Sequence, residues 1–264
     1  MKCTFKKYTL HFKRPGGTSR GILFDKNTYI LIIEDGERRA YGECNLFRDL
    51  SYDDREGYET KLNEICLRLP LEMTTVLPDL LEWPSIHFGV ETVLRDWENG
   101  SHQIIFPESI SRNGFSIPTN GLIWMGKKEE MKSQIISKLK DGFTSVKLKI
   151  GAIDFDGELE LLQFVRRQFT EDEVEIRVDA NGAFRFEEAK EKIKRLSEYQ
   201  INYIEQPIKA GQWQEMAALA ENSPVKIALD EELIGINVEV SGENLIDTIS
   251  PQVLILKPAL VGGF

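Results

Sequence analysis

Apolar and polar residues alternate strictly over V-E-I-R-V-D, residues 174–179. In an extended chain this puts Val174, Ile176 and Val178 on one face and Glu175, Arg177 and Asp179 on the other. Four further segments repeat the pattern and each closes on a charged residue: V-K-L-K (Val146 to Lys149), N-Y-I-E (Asn202 to Glu205), I-A-L-D (Ile227 to Asp230) and V-L-I-L-K (Val253 to Lys257). Strands are therefore predicted at 116–120, 144–149, 174–179, 202–205, 226–229 and 253–256. Helical periodicity fills the gaps, at Lys127 to Lys140, Phe155 to Phe169, Phe186 to Tyr199 and Trp213 to Glu221. Repeated βα units predict a parallel sheet with helices outside it. Such a sheet is either open and doubly wound or closed as a (β/α) barrel. The chain has no Gly-rich phosphate turn of the G-x-G-x-x-G or G-x-x-x-x-G-K kind. Charged strand ends favour the barrel, whose catalytic groups stand at the C-terminal ends of several strands.

The first third reads differently. Thr4 to Phe12 alternates, Tyr29 to Glu34 is an aliphatic run, and Arg38 to Cys44 alternates after the turn signal E-D-G-E, so an antiparallel meander is predicted. Lys13 to Phe24 begins with Pro15-Gly16-Gly17 and reads as a flexible loop. Thr18, Ser19 and Arg20 on that loop could meet an anion, or could belong to a solvated hairpin. Helices follow at Asp54 to Leu67 and Pro84 to Trp97, the second with an apolar stripe of Ile86, Val90, Val93, Leu94 and Trp97 that reads as core. A polar run from Gly100 to Gly114 marks the boundary between an α+β domain, 1–113, and the α/β domain, 114–264.

Composition narrows the function classes. With 264 residues, a formal charge of −10 and a pI near 5.0, the chain lacks the basic stripe that a nucleic-acid backbone demands. No apolar run approaches the roughly 20 residues of a membrane helix, and M-K-C-T-F-K-K-Y contains no secretory h-region. A cytoplasmic protein acting on a small molecule is expected; the oligomeric state is left open. Cys3, Cys44 and Cys66 lack C-x-x-C spacing, and His11, His87 and His102 are scattered, so no zinc site is expected.

Asp179, Glu205 and Asp230 close three successive predicted strands at spacings of 26 and 25 residues. Each alone reads as a helix-capping acid. In phase at one barrel mouth they would repel one another unless a cation held them. Oxygen donors without sulfur or imidazole point to Mg²⁺, or Mn²⁺. Lys147 and Lys149 project from the preceding strand to the same face as Arg177, and Lys257 lies on a later one. A lysine base must lose its proton, a shift of roughly 3 units from about 10.4, which cationic neighbours and a dication favour. The set reads as proton abstraction next to a substrate carboxylate, with the resulting enolate stabilised by the metal.

K-L-K (147–149), R-V-D-A-N (177–181), I-E-Q-P (204–207), L-D-E (229–231) and I-L-K-P-A-L-V-G-G (255–263) together resemble the enolase superfamily, in its muconate-lactonizing-enzyme-like subgroup. The resemblance implies an N-terminal α+β capping domain followed by an enolase-type (β/α) barrel, here lacking the last strands, since the family carries further βα units beyond the equivalent of Phe264. Within the subgroup, K-P-A-L-V-G-G and G-T-S-R-G are most similar to the o-succinylbenzoate synthase family. This implies Mg²⁺-dependent dehydration of a cyclohexadiene carboxylate to 2-succinylbenzoate. It also implies Asp179, Glu205 and Asp230 as metal ligands, Lys149 as the base and Lys257 as its partner across the substrate. Lys147 and Arg177 would tune the charge. Thr18, Ser19, Arg20, Arg177, Asn181, Gly262 and Gly263 would contact the substrate. Two alternatives stay open: a dipeptide epimerase or N-acylamino-acid racemase using the same two lysines, and an inactive metal-binding fragment.

Overall fold

The computed structural model describes residues 1–18, 21–106, 116–235 and 244–264. It divides into two units. One comprises Met1–Ser116, Leu233–Asn237 and Leu256–Phe264, and the other Ile117–Glu232 and Val238–Ile255. Residues 256–264, which the sequence reading carries with the second domain, thus group with the first unit.

The first unit is built on an antiparallel sheet of β1 (Lys2–Thr18), β2 (Gly21–Asp35) and β3 (Arg38–Cys44), in that order. The segment predicted as a loop, Lys13 to Phe24, is mostly strand. The β1–β2 ladder shifts register between His11 and Gly16 and resumes with Gly16 opposite Leu23. Pro15 lies inside that shift, where a residue with no N–H costs no ladder bond. Leu31 and Ile33 of β2 and Ala40 and Cys44 of β3 are buried with Leu62 and Ile65 of α1 (Tyr58–Arg68) and Ile86, Val90 and Val93 of α2 (Pro84–Glu98). Helix α1 starts at Tyr58 rather than Asp54 because Gly57 turns left-handed (φ 88°). Buried Asp53 instead caps α2, its Oδ2 accepting from Ser85 N (2.9 Å) and Ser85 Oγ (2.7 Å).

Strand β3 and helix α2 meet backbone to backbone. A Cβ on Gly42 would collide with Gly89 O and lie 2.8 Å from Val93 N, and one on Gly89 would lie 3.0 Å from Cys44 N. Gly42→Ala is expected to destabilise the first unit by at least about 1–3 kcal/mol, the usual cost of overpacking a filled core. The check is a lowered urea midpoint at unchanged slope.

The second unit is a six-stranded parallel sheet ordered β4 (Gly121–Ile123), β5 (Ser145–Lys149), β6 (Glu175–Asp179), β7 (Tyr203–Glu205), β8 (Lys226–Leu229) and β9 (Val253–Leu254). Helices α3 (Lys128–Lys140), α4 (Phe155–Arg166), α5 (Phe186–Leu196), α6 (Trp213–Asn222) and α7 (Leu245–Ile249) alternate with them. Strand order follows chain order without the reversal that defines a doubly wound sheet, which is the order of a (β/α) barrel, with β4 and β9 at the two edges of the described sheet. The first strand lies at 121–123, not at 116–120. Pro118 has no donor for a ladder, and Gly121 to Ile123 pair with Val146 to Leu148 instead. The buried aliphatics Ile123, Val146, Leu148, Ile176, Val178, Ile204, Ile227 and Leu229 supply the core of this unit with Met131, Ile135, Leu162, Ile193, Met216 and Leu219 from the helices.

Candidate active site

Register places the charged groups. Lys149 pairs with Asp179, Asp179 with Glu205, and Glu205 with Ala228, so one level of the sheet carries a lysine and two acids side by side. One step earlier on the same face stand Lys147, Arg177 and Tyr203. Asp230 follows the end of β8, two residues past Ala228. The aliphatics between these positions are buried on the other side, which aims the charged set.

Asp179 and Glu205 have no exposed surface, and Asp230 is 6% exposed. The Lys147 ammonium lies between the first two, 3.1 Å from Asp179 Oδ2 and in contact with Glu205 Oε2. Lys149 Nζ donates to Asp179 Oδ2 (2.6 Å) and Asn181 Oδ1 (2.7 Å). Asp179 Oδ1 accepts from Asn181 N (3.0 Å), and Asn181 Nδ2 donates to Glu231 Oε1 (2.9 Å). Arg177 is committed elsewhere: its Nε donates to Glu175 Oε1 (2.5 Å), its Nη1 to Asn120 Oδ1 (3.1 Å), and it stacks on Tyr203.

Burial, then the charge of Asp179, pushes Glu205 up to about 8 against the opposing pull of Lys147. Burial also works against ionised Asp179, yet Lys147 and Lys149 outweigh it and hold the carboxyl below its usual range. Glu231 is raised by burial and then by Asp230. For Lys147, burial favours the neutral form, but Asp179 and Glu205 together hold it above an ordinary lysine. The acids dominate this lysine wherever no other cation offsets them.

Among the described residues no group of three acids, histidines or cysteines is arranged to hold a metal ion; between Asp179 and Glu205 stands the Lys147 ammonium. The chemistry of the donors nevertheless suits a hard dication. They are buried carboxylates, and the Glu205 carboxylate already meets a cation there, the Lys147 ammonium. The second unit contains no histidine and no cysteine, so it offers no softer donor of its own.

Other residues named from sequence fall as follows. Ser19 and Arg20 lie outside the described residues, and Thr18 is described only as the backbone end of β1. Lys257 belongs to the first unit, where its carbonyl accepts from Leu260 N (2.8 Å) at the start of α8 (Pro258–Val261). Gly262 (φ 104°) and Gly263 (φ 119°) take left-handed turns beside α2, and Phe264 N donates to Glu91 Oε2 (2.8 Å). Sequence reasoning assigned no role to Asn120, Gln206, Glu231 or Glu232. The last three sit beyond strand ends, where alternation is silent, although I-E-Q-P and L-D-E spelled two of them out.

A family model described as "Enolase C-terminal domain-like" matches residues 130–264. The chain belongs to the enolase superfamily. This superfamily member is 40% identical over 295 aligned residues to the o-succinylbenzoate synthase of Desulfotalea psychrophila (strain LSv54 / DSM 12343), covering 100% of this chain and 80% of that protein. The crystal structure of MenC from Desulfotalea psychrophila LSv54 superimposes with a TM-score of 0.84 at 36% identity, again over 100% of this chain and 80% of that one. A hydrophobic dipeptide epimerase of a Flavobacteria bacterium (strain MS024-2A) is 25% identical over 239 residues, or 88% of this chain and 68% of that protein. Among the described residues no helix of this enolase-superfamily chain is long and apolar enough to cross a membrane.

Proposed function

We propose that the chain is an o-succinylbenzoate synthase of menaquinone biosynthesis. It would catalyse Mg²⁺-dependent syn dehydration of 2-succinyl-6-hydroxy-2,4-cyclohexadiene-1-carboxylate to 2-succinylbenzoate. The observation that carries this is the row Lys149, Asp179, Glu205 on three adjacent parallel strands, in which both acids are fully buried. The 40% identity to a synthase, against 25% to an epimerase, favours dehydration over racemisation.

Asp179, Glu205 and Asp230 are the residues that would hold the ion, which when bound supplies a Lewis acid to the substrate carboxylate. Lys149, oriented by Asp179 and Asn181, takes the proton from the carbon bearing that carboxylate. The C–H electron pair is first held in the carboxylate as an enediolate. It then returns to form the ring double bond as the C6 hydroxyl leaves with the proton from Lys149, so one water is lost and the ring becomes aromatic. Lys147 offsets the acids, and Lys257, by its place in the I-L-K-P motif, supplies the second ammonium. Arg177 and Asn181 keep this constellation in register. Its substrate is thus a small carboxylate rather than a nucleic acid. Three free thiols accord with a reducing, cytoplasmic compartment.

Incubation with the cyclohexadiene carboxylate and Mg²⁺ is expected to give the aromatic product, followed by its ultraviolet absorbance. No aromatisation, together with α-deuteration and scrambled configuration of dipeptides in D₂O, would establish the epimerase instead.

A further inference from the structure

Gln206 is fully buried and holds the left-handed conformation (φ 41°) that an L side chain rarely adopts. Every polar group it has is engaged. Its backbone N donates to Ala228 O (2.8 Å) and its carbonyl accepts from Gly182 N (2.7 Å). Its side-chain Oε1 accepts from the backbone N–H groups of both Asp230 and Glu232, each at 3.2 Å. Its Nε2 donates to Ile208 O (3.0 Å) and to Glu232 Oε2 (3.1 Å). Glu232, 2% exposed, accepts in turn from Gly211 N (2.7 Å) through its other oxygen.

The side chain next to Glu205 therefore fixes the backbone that carries Asp230 just past the end of the neighbouring strand. Main-chain geometry at Asp230 decides where its carboxylate emerges, and a fraction of an ångström matters to an ion that demands near-ideal octahedral coordination. We infer that Gln206, locked by Glu232, is the positioning residue that sets Asp230 relative to Glu205 for divalent-metal binding. Gln206 does not itself touch the ion or the substrate. The inference rests on the metal-ligand roles proposed above.

The test is binding of Mn²⁺ to the full chain, read by electron paramagnetic resonance of the free ion, with circular dichroism melts of the metal-free proteins alongside. Gln206→Glu removes the Nε2 donor and sets two carboxyl groups against each other. It is expected to weaken Mn²⁺ binding about 10- to 100-fold, the usual effect of losing a group that orients a ligand. Adding Glu232→Gln restores a donor across the same contact and should return affinity to within a few fold of wild type. Should Gln206→Glu not fold, Gln206→Ala carries the same expectation, with water able to reach the freed N–H groups.

A folded Gln206 variant that melts lower without metal yet binds Mn²⁺ as wild type does would show a purely structural role and overturn the inference. Weakened binding that Glu232→Gln fails to restore would overturn the part given to the Gln206–Glu232 pair. Wild-type protein that binds no Mn²⁺ would sink the metal reading itself, and this inference with it.

Discussion

Lys149→Ala is expected to lower kcat for aromatisation by about 10²- to 10⁴-fold, the range that a positioned proton-transfer group contributes. KM should change little, because the lost interaction belongs to the transition state and not to substrate binding. Fold is expected to survive: Asp179 keeps the Lys147 ammonium at 3.1 Å and the Asn181 N–H at 3.0 Å when Lys149 is gone. Lys149→Arg should be as inactive as the alanine variant, since a guanidinium stays protonated at any working pH. Steady-state kinetics with matched circular dichroism spectra provide the check. An alanine variant within threefold of wild type would remove Lys149 from the mechanism.

Glu205→Gln is expected to separate stability from function. In the metal-free chain Glu205 is raised from 4.5 to about 8, so the folded state holds its proton more tightly than the unfolded state. Stability from this group is thus lost, not gained, as pH climbs from about 4.5 through about 8. The glutamine variant lacks that loss, and its metal-free melting temperature at pH 8 should equal or exceed that of wild type. With Mg²⁺ the order should reverse. At a hundredfold excess over its dissociation constant the ion stabilises wild type by about 2.7 kcal/mol. For a chain of this size that corresponds to a rise of roughly 5–10 °C. The variant should show little of this rise and should lose on the order of 10³-fold in turnover, as loss of several kcal/mol of Lewis-acid stabilisation requires. Melts at pH 5 and pH 8, with and without Mg²⁺, measure all four corners. A variant that melts lower than wild type in every condition would refute the argument.

Much of this was legible in the chain itself. Period-two alternation located β5 to β8 within a residue or two and placed Lys149, Asp179 and Glu205 on one face, because a strand buried on its aliphatic side has no freedom to rotate. The first parallel strand was misplaced because S-I-P-T-N has the right apolar content but a proline where a donor is needed. The hairpin of β1 and β2 ran past the Pro-Gly-Gly signal because a register shift absorbs it. Hydrogen bonds at strand exits were out of reach of any periodicity. Asn181 and Gln206 both turn left-handed there, and non-glycine residues announce no such turn. The ion pairing of Lys147 with Asp179 and Glu205 also depends on how far a flexible side chain extends, which pattern does not encode.

The alternation that buries Ile204 and Val178 also has a consequence for how errors are screened during folding. A slip of β7 by one residue against β6 would drive a carboxylate among the aliphatics and lift Ile204 out of them. The same displacement would blank the reactive row. Shape and reactivity are thus checked by one test, and a molecule that passes for folded in this sheet should also be a working catalyst. Refolded material is therefore expected to recover specific activity in proportion to its native spectrum, with no folded but inactive fraction.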